Sequence, residues 1–145
     1  MRVIGFCVIT LLLIPAFARA ECAVITMPQM LSGPYSASLV FKGSVKTVDL
    51  PPDKPFETVT FSVDEVWKGN VAREITLAQM FTAESIHFQQ GTDYLIVAYD
   101  PALSTIRPPI PPNMLEISFC ASRRIEEAER SGFLRSLGRG RSPRR

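Results

Sequence analysis

The chain has 145 residues, 46% hydrophobic and 21% charged, and its formal net charge is +2 at pH 7. This length fits a single domain with a hydrophobic core that needs no metal ion to hold it together. The net charge hides an asymmetry: residues 21–120 carry six Lys and Arg against eleven Asp and Glu, whereas residues 121–145 carry eight Arg against three Glu. Because the body is acidic, we expect no nucleic-acid partner.

The first twenty residues have the features of a secretory signal peptide. Arg2 supplies a positive charge, residues 3–17 are apolar, and Ala18-Arg19-Ala20 has the small-x-small pattern that signal peptidase cleaves. We therefore expect residues 1–20 to be removed and the mature chain to begin at Glu21, in a secreted, periplasmic or extracellular location. The apolar stretch is too short to cross a bilayer core of about 30 Å, so a membrane-spanning protein is not expected.

Two cysteines remain once the signal peptide, which contains Cys7, is removed. In an oxidising compartment, Cys22 and Cys120 are expected to form a disulfide. This bridge would tie the N-terminus to the end of the last predicted strand. Chain-entropy estimates for so long a loop reach about 4.7 kcal/mol. Two free thiols are the alternative.

Alternating apolar and polar residues dominate from Ser38 to Tyr99 and predict a mainly β fold. The predicted strands cover residues 38–50, 56–69, 73–80, 93–100 and 114–120. The prolines in residues 51–55 make that segment a connection. In the second strand, the alternation of apolar and polar residues shifts its phase, which predicts a bulge near Glu65.

Three further segments lack the strand pattern. Residues 81–90, "FTAESIHFQQ", predict a loop or a short irregular helix. Residues 107–113, "RPPIPPN", predict an exposed polyproline II connection, with docking on an aromatic groove as the less favoured alternative. Residues 122–137 predict a helix that Ser122 caps and Gly132 interrupts.

Patterns typical of catalytic sites are absent from the sequence. His87 is the only histidine and is predicted to be a surface loop residue. Asp64 and Glu65 are adjacent on a strand and therefore point to opposite faces, which does not suit paired-carboxylate hydrolysis. We expect no enzyme activity, no catalytic residue, no metal site and no cofactor.

Five strands followed by a helix predict a small five-stranded OB-like barrel with a C-terminal α-helix. A half-open β-sandwich is the competing architecture. Read in order, "LVFKGSV", "FSVDEVWKG", "FQQGTDYLIVAY" and "FC" before a helix resemble the tissue inhibitor of metalloproteinases and netrin-module superfamily (TIMP/netrin-like), especially its short secreted bacterial-type members. The resemblance spans most of residues 22–138 and implies the same barrel, with a disulfide holding the N-terminal segment to its side.

In the animal inhibitors of this superfamily, the chain starts with a cysteine in a Cys-x-Cys motif, and the amine and carbonyl of that cysteine bind the target enzyme's zinc. Here Glu21 precedes Cys22, and Val24 replaces the second cysteine. An amide nitrogen does not bind zinc as a free amine does, because its lone pair is delocalised. The resemblance leaves Glu21, Cys22 and Ala23 as candidate contacts with a protease, but this mechanism is not expected of a chain that begins at Glu21.

Two further sets of residues are candidate binding sites. Trp67 and Lys68 are either an exposed interface hot spot or, as we favour, a tryptophan packed at the end of the barrel before a turn at Gly69. The second set is the Arg-rich tail, residues 139–145, which is predicted to be disordered and contains Arg139, Arg141, Arg144 and Arg145.

These observations favour three functions for the domain at residues 21–138. The leading hypothesis is a secreted, non-enzymatic binding module that acts through protein–protein contacts. The first alternative is an inhibitor of an extracellular or periplasmic metalloproteinase. The second is a cell-envelope adaptor whose Arg-rich tail docks on anionic lipid or polysaccharide.

Overall fold

The computed structural model describes residues 26–34, 36–103 and 109–145. Within these residues, three short helices and six strands make up the regular structure. They are α1 (Met27–Leu31), β1 (Leu39–Asp49), β2 (Phe56–Lys68), β3 (Glu74–Met80), β4 (Asp93–Tyr99), β5 (Glu116–Ile117), β6 (Arg123–Arg124), α2 (Ile125–Arg130) and α3 (Phe133–Leu137). A 3-10 turn at Pro101–Leu103 follows β4. Within the described part of the chain, no helix is long and apolar enough to cross a membrane.

The strands close into a five-stranded barrel, which confirms the predicted mainly β, OB-like architecture. β1 pairs with β2 along most of its length and with β4 through residues 39–44, and β3 pairs with the other edge of β2. β5 completes the ring, because it lies parallel to β3 at the Ala78–Glu116 pair and antiparallel to β4. β6 adds to β4 outside the ring.

Irregular pairing between β1 and β2 lets these long strands bend around the barrel. The register shifts leave Asp64 and Trp67 as extra residues on β2, on either side of Glu65, and this confirms the predicted irregularity. Gly43 allows a close approach of the two strands, because a Cβ atom added at this position would lie only 2.4 Å from the backbone oxygen of Ser62.

The barrel interior is filled by side chains that include a row of four aromatic rings. Phe41 and Phe61 are 5.5 Å apart between ring centroids, Phe61 and Phe88 are 5.5 Å apart, and Phe88 and Tyr94 are 4.9 Å apart, all in edge-to-face geometry. Phe88 comes from the β3–β4 loop, residues 81–92, so this loop closes the barrel with an apolar side chain. All four rings therefore belong to the barrel core or pack against it.

A second apolar cluster joins the outer face of β1 and β4 to the helices, which explains why β4 is apolar on both faces. Val40, Leu95 and Val97 pack here against Ile125 and Ala128 of α2. The near-continuous apolar run of β4 is therefore that of a strand covered on both sides.

The C-terminal helical region differs from the single capped helix predicted for residues 122–137. The predicted interruption is confirmed, because Gly132, with φ of 74°, separates α2 from α3. The predicted cap is wrong: the Ser122 hydroxyl accepts a hydrogen bond from the Val97 amide at 2.9 Å and donates to the Val97 carbonyl at 3.1 Å. Because β6 pairs with β4 directly afterwards, the helix begins only at Ile125.

Part of the proline-rich connection also differs from its prediction. Residues 104–108 lie outside the described residues, but Ile110 is buried against Phe56 and Ala78. The amide of Met114 bonds to the carbonyl of Pro111 at 3.0 Å, which closes a turn. The described end of this segment is therefore anchored on the barrel rather than uniformly exposed and extended.

The C-terminal tail is ordered, so the prediction of a disordered segment at residues 139–145 is wrong. Arg141 forms an antiparallel bridge with Val66 of β2, and Arg144 forms a parallel bridge with Ala72. β3 pairs with β2 only as far as Ser62, and the tail lies against the strand edge beyond that point. Composition alone indicated disorder, whereas a free strand edge supplied hydrogen-bonding partners for the tail.

Candidate binding surface

Three exposed apolar side chains surround the connection between β1 and β2, and we call Val48, Leu50 and Phe81 the apolar tip. Their side chains are 39%, 57% and 45% exposed, respectively. Val48 pairs with Val59, a core residue, so both lie on the inner face of the sheet, where Val48 extends beyond the filled barrel. The Phe81 amide donates a hydrogen bond to the carbonyl of Pro55 at 3.0 Å, which places Phe81 beside the connection that begins with Leu50.

Hydrogen bonds hold the segment after β3 in place next to the tip. The Ser85 hydroxyl donates to the Met80 carbonyl at 2.7 Å and accepts a bond from the Thr82 amide at 2.7 Å. Residues 82–85 thus form a local turn that starts directly after Phe81. Val48 on a paired strand and Phe81 before a hydrogen-bonded turn are therefore held in place, and Leu50 follows the last β1–β2 pair at Asp49, which limits the conformational entropy that binding would cost.

A buried polar pair fixes the β3–β4 loop over the end of the barrel. The Gln79 amide nitrogen donates to the Glu57 carboxylate at 2.6 Å and to the Ile86 carbonyl at 2.8 Å, while the Gln79 oxygen accepts from the Ile86 amide at 3.1 Å. Burial raises the pKa of Glu57 above its ordinary value of 4.5, and the bond from Gln79 and the charge of His87 offset part of this rise. His87 itself is exposed, as predicted.

A cleft of about 500 Å³ lies between this loop and the start of α2. Its lining includes His87, Arg123, Arg124 and Glu127. Both arginines already have partners within the protein, since Arg124 donates to the side-chain oxygen of Gln89 and the Arg123 guanidinium lies 4.6 Å from the centre of the Phe133 ring. The cleft is thus a polar junction between loop and helix, and the described residues contain no group of three or more metal-ligating side chains.

Trp67 and Lys68 are not part of the apolar tip. The Trp67 indole donates a hydrogen bond to the Gly138 carbonyl at 2.9 Å and packs in the cluster that contains the helices. The Lys68 ammonium donates to the Leu31 carbonyl at 2.8 Å, and Gly69 follows with φ of 80°. Trp67 is therefore packed, as the favoured interpretation has it, although against the helices on the outer face of the sheet rather than at the end of the barrel, and Lys68 precedes a turn.

The N-terminal candidates Glu21, Cys22 and Ala23 lie outside the described residues, as does the whole predicted signal peptide. Cys120 is disulfide-bonded. Its predicted pairing with Cys22 stays a prediction, and so does metalloproteinase inhibition through the first residues of the mature chain.

The arginines of the tail are brought together, although in a different way from the prediction. Arg139, Arg141, Arg144 and Arg145 are all exposed along an ordered segment.

The sequence pattern did not single out the apolar tip. Its signal is two apolar residues, Val48 and Leu50, directly before the proline-rich connection that starts at Pro51, together with Phe81 directly after β3.

No family model and no curated protein sequence matches this chain. The comparisons therefore assign no family, and the likeness to the TIMP/netrin-like superfamily remains a prediction from the order of its sequence motifs. The structure itself defines the class of fold, a closed five-stranded OB-like barrel with short C-terminal helices.

Proposed function

We propose that the chain is an exported, non-enzymatic binding module that contacts a partner protein through the apolar tip. One observation carries the proposal: Val48, Leu50 and Phe81 expose apolar surface around a single connection at the edge of a well-packed barrel. Isolated exposed apolar residues are common, but grouped ones on a rigid frame are typical of interaction sites.

The energetics suit a modest interface centred on this tip. Burying a leucine or phenylalanine side chain completely contributes about 1.5–3 kcal/mol, and the tip residues are already partly covered, so each has only part of this energy left to contribute. The tip would act as the apolar centre of a contact whose rim is polar, and Asp49, Asp53 and Lys54 are exposed around it.

A comparison of matched variants tests the proposal. Tagged full-length wild type, Leu50→Asp and Phe81→Asp would be incubated with proteins secreted by the organism of origin, and retained proteins would be identified and then titrated in purified form. The control is Leu103→Asp, because Leu103 is 66% exposed in the 3-10 turn after β4 and does not belong to the tip.

We expect a partner that binds wild type and Leu103→Asp with equal affinity and binds both tip variants at least about tenfold more weakly, since a buried unpaired charge is costly. Equal affinity for all four proteins would show that the tip is not the contact surface. Circular dichroism of each variant checks that the barrel is retained.

A further inference from the structure

The C-terminal tail follows a defined path along the second half of β2. The Val66 amide donates to the Arg141 carbonyl at 2.8 Å, and the Arg141 amide donates to the Val66 carbonyl at 2.9 Å. Farther along, the Arg144 amide donates to the Val71 carbonyl at 2.9 Å. The tail therefore extends the sheet beyond the last β2–β3 pair and has a fixed backbone.

Two glycines make this path available. Gly138 has φ of 69° and ψ of −155°, a backbone conformation that is essentially restricted to glycine. At Gly140, an added Cβ atom would lie 2.5 Å from Cγ of Glu65, and the Gly140 amide donates to the Glu65 carboxylate at 2.7 Å. The spacing of glycine and arginine in "GRGR" therefore matches the geometry of a strand docked against β2.

This docking presents four exposed guanidinium groups from one short segment, and we call Arg139, Arg141, Arg144 and Arg145 the basic ridge. Among the described residues, the single salt bridge joins Lys46 to Glu74, so no ridge arginine is paired with a carboxylate there. The guanidinium of Arg141 donates to the Gly69 carbonyl, which is neutral. Of the nearby acids, Glu65 accepts the Gly140 amide and Asp64 is exposed. The ridge thus keeps most of its positive charge.

We propose that the basic ridge binds a linear anionic polysaccharide. Guanidinium groups form paired hydrogen bonds with carboxylate and sulfate oxygens, and the fixed backbone places Arg139 and Arg141 two residues apart in an extended segment, roughly 7 Å along the chain. Since the segment is already ordered, binding does not have to immobilise a flexible tail. This inference does not depend on the proposed function, because it concerns another surface and another ligand.

A membrane surface is the less suitable ligand. Segments that dock on anionic lipid commonly combine basic residues with apolar side chains that enter the interface. The large apolar side chains that are exposed in the described residues are Val48, Leu50, Phe81 and Leu103, and none belongs to residues 138–145. The ridge carries charge without an apolar anchor.

The first test measures binding to immobilised heparin, a linear sulfated polysaccharide, for wild type and for the triple variant Arg139→Gln/Arg144→Gln/Arg145→Gln. Arg141 is left unchanged because its guanidinium bonds within the protein. The control removes the same charge elsewhere, as Lys54→Gln/Arg124→Gln/Arg130→Gln, since these three residues are also exposed and do not adjoin the tail. We expect the ridge variant to lose roughly fivefold in affinity for each arginine, with a weaker salt dependence, and the control to lose much less.

Equal losses in the ridge and control variants would show a non-specific effect of net charge and overturn the proposal. Vesicles of phosphatidylserine and phosphatidylcholine form the second arm. Binding to these vesicles as tight as binding to heparin, and equally sensitive to the ridge variant, would show that the ligand is a membrane surface instead.

The second test separates an ordered ridge from a disordered cationic tail. Gly138→Ala retains every charge but disfavours the backbone conformation that directs the tail onto β2. Gly91→Ala is the matched control, because Gly91 also has positive φ, of 77°, but lies in the β3–β4 loop. We expect heparin affinity to fall severalfold in Gly138→Ala and to stay unchanged in Gly91→Ala. Unchanged affinity in Gly138→Ala would refute a preorganised ridge.

Discussion

Replacing Phe88 with alanine is expected to destabilise the barrel more than any other single truncation in the β3–β4 loop. Phe88 is the one ring of the aromatic row that does not come from a strand, and it lies between Phe61 and Tyr94 at centroid distances of 5.5 and 4.9 Å. Its removal would leave a void next to two fixed rings and take away one of the loop's contacts with the core.

The magnitude follows from burial and from the two ring contacts. Phenylalanine-to-alanine changes at fully buried sites cost about 3–5 kcal/mol, and each aromatic pair contributes about 0.5–1.5 kcal/mol of such a loss. Because Phe88 is only partly buried, we expect about 2–3 kcal/mol for Phe88→Ala. Phe88→Leu retains most of the volume and should cost less than about 1.5 kcal/mol.

Urea unfolding of the oxidised full-length protein, analysed by linear extrapolation, measures these differences. The control is Phe81→Ala, which removes an aromatic ring from the start of the same loop at a side chain that is 45% exposed. We expect this control to stay within about 0.5 kcal/mol of wild type. Equal and small losses for Phe81→Ala and Phe88→Ala would refute the assignment of Phe88 to the core.

Three other predictions concern the strands and the N-terminus. Gly43→Ala places a Cβ 2.4 Å from the Ser62 carbonyl oxygen, so thermal unfolding should show a clear loss of stability, of about 1–3 kcal/mol or more. The folded-state pKa of Glu57 is raised above 4.5, so ionisation of its carboxyl group lowers the stability of the wild-type fold as pH rises above that value. The free energy of unfolding of Glu57→Gln should therefore increase relative to that of wild type between pH 4 and pH 7. A difference between the two proteins that stays constant with pH in urea titrations would contradict this. Protein that begins at Glu21 should inhibit a panel of zinc endopeptidases weakly or not at all, whereas tight inhibition that is lost when residues 21–24 are deleted would contradict the prediction.

The alternation of apolar and polar residues predicted the barrel strands well, because each inner-facing side chain packs against side chains of the neighbouring strands. In the alternating pattern of β2, Val59, Phe61 and Val63 share one face, and all three are core residues. β4 is apolar on both faces, and the structure covers these faces with the barrel interior and with the helices. In these strands, local pattern and tertiary packing agree.

The remaining features depend on contacts between distant parts of the chain. Ser122 has the side chain of a helix cap, but the backbone of Val97 competes for its hydroxyl from another strand. Residues 139–145 have the composition of a disordered tail, but the edge of β2 offers them backbone partners. Neither partner is adjacent in sequence, so no local pattern indicates the contact.

The same long-range geometry explains how one small domain can present two separate surfaces. The apolar tip adjoins Phe56, where β2 begins, whereas the basic ridge pairs with Val66 near the end of that strand. Because Val48 of the tip pairs with Val59, seven to ten residues of β2 lie between the two surfaces, roughly 23–33 Å of extended strand at about 3.3 Å per residue, less the shortening that the bulges cause. This separation exceeds the Debye length of about 8 Å at physiological ionic strength, so the charge of the ridge is largely screened at the tip. The charge of the ridge would therefore contribute little to binding at the tip, and the pairing of β2 with β1 would fix the distance between the two surfaces.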